Sequence, residues 1–136
     1  MKIILSNWIN LSGIFGSVFL FTIILTITDA NLSYNIFQAT LAALIAILGY
    51  GMMFWAFLLG ALFITDLILI VPNQKNLKLK LIIEWLIISS PFIYWTIEYE
   101  EWIFAVGIVS FLVTQLLREK YILRREELTD QGNVKL

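Results

Sequence analysis

Residues 36–71 form one apolar run in which only Gln38, Thr40, Thr65 and Asp66 are plainly polar. As a single helix rising about 1.5 Å per residue it would extend roughly 54 Å, well beyond the ~30 Å hydrocarbon core of a bilayer. A plain single span cannot use that length. Either the run is one long bent helix, part of which lies along an interface or a neighbour, or the chain reverses inside it. The first case gives four membrane crossings and the second gives five.

Gly49 and Gly51 flank Tyr50 at the point where either event would occur, because each glycine weakens a helix by about 1 kcal/mol relative to alanine. A reversal there would expose backbone amides and carbonyls in a turn with almost no polar side chain, where lipid offers them no partners. We therefore expect one long second helix, kinked near Gly49 and Gly51. The reversal is the competing reading.

Composition supports membrane insertion as a whole. The chain is 60% hydrophobic and only 14% charged, with a mean hydropathy of +0.89, against about 25% charged residues in soluble domains. There is no cysteine and no histidine, which removes disulfides, thiol nucleophiles, imidazole bases and the usual zinc and haem ligands. No metal site or cofactor site is expected. The basic residues form no face suited to nucleic acid, and none is expected as a partner.

Four segments follow in order. Residues 8–28 match the length of a tilted span, and at 21 residues they exceed the h-region of a secretory leader despite Lys2 upstream and a Thr-Asp-Ala sequence at 28–30. Ser12, Gly13, Gly16 and Ser17 make two small-xxx-small pairs there, and Ala56 with Gly60 makes another in the second segment. Such pairs let helices approach closely. Thr22 and Thr26 are expected to bond to their own helix backbone.

The third segment, 81–97, carries Glu84 near its start and Ser89, Ser90 and Pro91 at its middle, where the proline should free the carbonyl of Ile87. A short fourth segment, 102–117, ends at Arg118, which is expected to snorkel outward. Its helix should continue as a charged cytoplasmic tail to about Leu128, with Gly132 placed to end it and with Leu117, Tyr121 and Leu128 on one stripe. The division is thus a transmembrane domain, 1–117, and a helical tail, 118–136. Aromatic residues suggest two belts, with Tyr94, Trp95, Tyr99 and Trp102 at one interface and Trp8, Trp85 and Tyr121 at the other.

With four spans, the N-terminus, the loop 71–80 and the tail share one side of the membrane. All nine basic residues, Lys2, Lys75, Lys78, Lys80, Arg118, Lys120, Arg124, Arg125 and Lys135, fall there. The opposite connections hold Asp29, Glu98, Glu100 and Glu101. The positive-inside rule makes the basic side, with both termini, cytoplasmic. The expected setting is a bacterial inner membrane.

Acidic residues within apolar segments cost roughly 2.5–3.5 kcal/mol at a helix centre on insertion scales and so mark candidate sites. Asp66 and Glu84 lie one to two turns from the basic side on helices joined by one loop. They could form a carboxylate pair for a cation or proton, although Lys80 and the other loop lysines are the expected partners. Ser89, Ser90 and Gln115 complete the set of intramembrane polar candidates. The serines have no base beside them in the sequence that would activate a nucleophile.

These features predict an all-α integral membrane protein, a four-transmembrane-helix bundle surrounded by lipid, and not an enzyme. Small-residue faces exceed what one bundle would bury. The expected function is therefore a non-catalytic subunit of a membrane assembly, with a homo-oligomeric pore or a larger membrane-protein partner as its forms. Two alternatives are an ion or small-solute transporter using Asp66 and Glu84, and an immunity-type protein that neutralises a membrane-acting toxin.

Overall fold

A computed structural model describes residues 2–73 and 75–133, with the side chains of 4–73 and 75–125. Gln74 and Lys135 lie outside the described residues, and the side chains of Lys2 and Leu128 lie outside the described side chains. The described residues form helices joined by short connections, without strands. Helix α1 (Lys2–Leu5) leads into α2 (Trp8–Thr28). Then come α3 (Ile36–Ile45), a π-helical segment (Ala46–Tyr50), α4 (Met52–Thr65) and a second π segment (Asp66–Ile70). Two long helices follow, α5 (Leu77–Tyr99) and α6 (Trp102–Asn133).

Among the described residues, three helical stretches are long and apolar enough to cross a membrane: Trp8–Thr28, Met52–Ile70 and Trp102–Arg125. The apolar helix Ile36–Tyr50 is shorter, and α5 has Glu84 and Pro91 inside it. The surface fits this reading. Met53 is 81% exposed, Ile97 74% and Phe37 68%, a density of bare large apolar side chains that water would not tolerate and lipid does.

Local chemistry sets the helix ends. Asn35 opens α3 with a reciprocal cap: its side chain accepts from the Gln38 amide at 2.9 Å, while Gln38 Oε1 accepts from the Asn35 amide at 3.1 Å. The turn between α5 and α6 is closed by Glu100 in the left-handed conformation (φ 55°), and Asn76 adopts the same region (φ 57°) just before α5.

Along 36–70 the hydrogen-bond ladder passes through the glycines. The Gly51 amide donates to the Ala46 carbonyl at 3.0 Å, and the Trp55 amide donates to the Gly51 carbonyl at 3.1 Å. A Cβ on Gly51 would overlap the Ile47 carbonyl, whereas one on Gly49 would meet open space. Gly51 is thus the glycine that the wide π turn requires. In α5 the helix continues past Pro91, and Ser90 Oγ donates to the Ile87 carbonyl at 2.9 Å, the acceptor deprived of its amide. Thr22 and Thr26 each donate to the carbonyl four residues back at 2.8 Å, as expected.

Helix α2 packs on α3 and α6, and α5 packs on α6, on α4 and on the second π segment. Serine 110 joins α6 to α2: its Oγ donates to the Gly13 carbonyl at 3.0 Å and shares a hydrogen bond with Ser17 Oγ at 2.9 Å. A Cβ on Gly13 would overlap Thr114 Cγ2, so the glycine is what lets these helices meet.

Two apolar layers result. One joins Ile14, Leu58, Leu62, Ile88 and Phe111, and the other joins Ile70, Leu77, Leu81 and Ile122. Trp85, expected in an interfacial belt, packs toward α6 and donates its indole N–H to the Ile108 carbonyl at 3.0 Å. Helix α6 does not end near Leu128 but runs through Gly132 to Asn133.

Candidate functional site: a buried charge cluster

The two apolar layers are separated by a polar one, and its composition follows from helix register. On the run ending in the second π segment, Leu58, Leu62, Asp66 and Ile70 are buried at four-residue intervals. On α5 the corresponding stripe is Leu77, Leu81, Glu84 and Ile88, and on α6 it is Phe111, Gln115, Arg118 and Ile122. Spacings of three and four keep each stripe on one helical face. A charged residue therefore occupies the same rung in all three.

Arg118 is the centre. Its Nη2 lies 2.7 Å from both Asp66 Oδ1 and Oδ2, its Nη1 lies 3.2 Å from Glu84 Oε2, and its Nε donates to Ser6 Oγ at 2.8 Å. The side chains of Arg118, Asp66 and Glu84 are all fully buried. Charge-assisted hydrogen bonds of this kind are about twice as strong as neutral ones.

The carboxylates have further donors. Asn7 Nδ2 donates to Asp66 Oδ2 at 2.6 Å, Thr65 Oγ1 lies 2.7 Å from Glu84 Oε1, and Gln115 Nε2 donates to Glu84 Oε2 at 2.9 Å. Asn10 Nδ2 donates to Asn7 Oδ1 at 3.1 Å and reaches Gln115 Oε1 at 3.4 Å, while its own Oδ1 is buried without a partner. The cluster ties α6, α5, the second π segment and the N-terminal residues into one unit. With all three groups ionised, two carboxylates face one guanidinium and leave one excess negative charge.

Asp66, Glu84 and Gln115 therefore meet, as candidates at similar depth should. Their partner differs from the sequence expectation. Arg118 does not snorkel outward, because it sits three residues beyond buried Gln115 and four before buried Ile122, on the inward face of a helix that continues past 117. Glu84 is not held by Lys80, whose ammonium donates to the Asn73 carbonyl instead. Ser6 and Asn7 were not among the candidates. The legible signal for Arg118 was its register, continuous with Phe111 and Gln115, which outweighs its position at the end of an apolar run.

The serines lie elsewhere. Ser90 serves the α5 backbone, and Ser89 is buried with its hydroxyl unpartnered, next to the apolar layer rather than the cluster. Of the small residues, Gly13 and Ser17 face α6, whereas Ser12, Ala56 and Gly60 are exposed and nothing lies within 4 Å of a Cβ placed on Gly16 or Gly60. No family model, curated protein or solved structure matches this chain.

Proposed function

We propose that this chain is a four-span bundle acting as a non-catalytic subunit of a membrane assembly, and that it self-associates. Helix α5 supplies the remaining crossing. The run 36–70 is one bent helix in this reading, supported by the ladder carried through Gly51. Both termini lie in the cytoplasm of a bacterial cell, since the basic residues share one side and acids alone occupy the other.

The observation that carries the reading is the open small-residue line of Ala56 and Gly60 on α4. It is exposed within the single chain, while the buried charged side chains are engaged with one another in the Arg118 cluster. Lines of this type let helix backbones approach. In mild detergent, light scattering should give a protein mass that is a multiple of 15.7 kDa. Ala56→Leu with Gly60→Leu should shift it toward the monomer without changing helix content. A monomer at every dilution would sink the proposal.

A second reading rests on the excess carboxylate: Asp66 and Glu84 share one guanidinium, a charge count that suits proton or cation exchange. Glu84→Gln should then abolish cation or proton flux into liposomes, and unchanged flux would eliminate that mechanism.

A further inference from the structure

On the far side of the apolar layer from Arg118, a cavity of about 250 Å³ opens inside the bundle. Every long element contributes to its walls, from α2 through the first π segment and α4 to α5 and α6. Trp55, Phe54, Phe92, Phe104 and Phe111 give it an aromatic lining, with Phe54 and Phe104 centroids 5.2 Å apart and Phe92 and Phe104 5.9 Å apart. Among the described residues, no charged side chain lines it.

Ser89 lines this cavity and is 1% exposed, and its hydroxyl has no hydrogen-bond partner among the described residues. A helical serine normally satisfies itself on a carbonyl three or four residues back, as Ser90 does on Ile87. A buried hydroxyl left unpaired is costly, and such groups in native structures call for an explanation.

We propose that the cavity is a binding site for a neutral, lipid-soluble molecule with an aromatic or quinonoid ring and one oxygen that pairs with the Ser89 hydroxyl. Three features select that class. Uncharged walls exclude ions and charged headgroups, which would lose hydration without gaining a partner. Aromatic walls suit a ring through offset and edge contacts. The volume lies between the ~150 Å³ cavity that accommodates benzene and the ~300 Å³ lower end of drug-sized pockets. A bulk acyl chain would fill the space but leave the hydroxyl unpaired. Entry is from the lipid phase, since the lining residue Tyr50 is 85% exposed. All of its lining residues come from one chain.

The test uses the full chain in phosphatidylcholine nanodiscs and a diazirine-bearing alkylphenol, with photolabelled residues mapped by mass spectrometry. Two competitors are compared at equal membrane concentration: the parent alkylphenol and the alkylbenzene of the same carbon skeleton. Labelling of cavity residues should saturate, and the phenol should compete roughly 3- to 10-fold better than the hydrocarbon, the value of one hydrogen bond. Ser89→Ala, a small change inside a helix, should erase that advantage while leaving hydrocarbon competition intact. Labelling that never saturates would identify the occupant as bulk lipid and overturn the proposal. Equal competition in the native chain, or a phenol advantage that survives Ser89→Ala, would overturn it as well.

Discussion

Replacing Arg118 with methionine is expected to destabilise the protein by about 3–5 kcal/mol, the cost of leaving buried charge uncompensated. The change keeps an apolar stem of similar length, so the loss reports on the guanidinium and not on volume. Asp66, which has both oxygens 2.7 Å from Nη2, and Glu84, at 3.2 Å from Nη1, would remain buried together without a cation. Lysine should rescue only in part, because one ammonium cannot reproduce the fork that reaches Asp66, Glu84 and Ser6 at once.

The informative variant is the triple one. Adding Asp66→Asn and Glu84→Gln to Arg118→Met removes every formal charge from the layer and should recover most of the loss, since replacing all members of a buried ionic cluster is often neutral. Unfolding titrations in mixed micelles, followed by far-UV circular dichroism, would measure all of these variants. An Arg118→Met protein as stable as the native chain would refute the view that this cluster holds the helices together.

The second large effect is expected at Gly13. Alanine there should cost about 1–3 kcal/mol, the usual range for overpacking, because its Cβ would overlap Thr114 Cγ2 and push α2 away from α6. That movement would also break the bonds from Ser110 to Gly13 and Ser17. Thr114→Ser deletes the offending methyl and keeps the hydroxyl that donates to the Phe111 carbonyl at 3.0 Å. Gly13→Ala combined with Thr114→Ser should therefore match or exceed native stability, with alanine adding up to about 1 kcal/mol of helix propensity over glycine. The same micelle titration separates the two cases, and additive losses in the double variant would rule out the proposed contact. Gly16, with nothing within 4 Å of its Cβ position, is the control.

Much of the fold was legible because membrane helices announce themselves through length and hydropathy. The spans at 8–28 and from 102 onward, the turn at Glu100, and the local satisfaction of Thr22 and Thr26 all follow from rules that act within one helix. Ser90 is similar: proline fixes which carbonyl is freed, and an adjacent hydroxyl is the nearest donor. Trp85 and Arg118 make contacts that a single helix does not announce, for a shared reason. Both are amphipathic residues near the ends of apolar runs, where an interfacial position is the ordinary outcome. Both face inward instead, and an inward face exists only where neighbouring helices supply an acceptor, here Ile108 for the indole and the two carboxylates for the guanidinium.

The sequence alone determined that this is an all-helical chain suited to a membrane, that its charges cluster at the ends of apolar runs, and that Asp66 and Glu84 are charged residues within such runs. These depend on hydropathy and on spacing of three or four residues, quantities each helix carries by itself. Tertiary structure decided that Arg118 bridges the pair, that Ser6, Asn7 and Gln115 complete the layer, and that Ser89 is left facing an aromatic cavity. Those outcomes depend on how far each helix is rotated and shifted against the others. Side chains separated by up to 112 positions set that relation, as Arg118 and Ser6 do, and no local pattern encodes it.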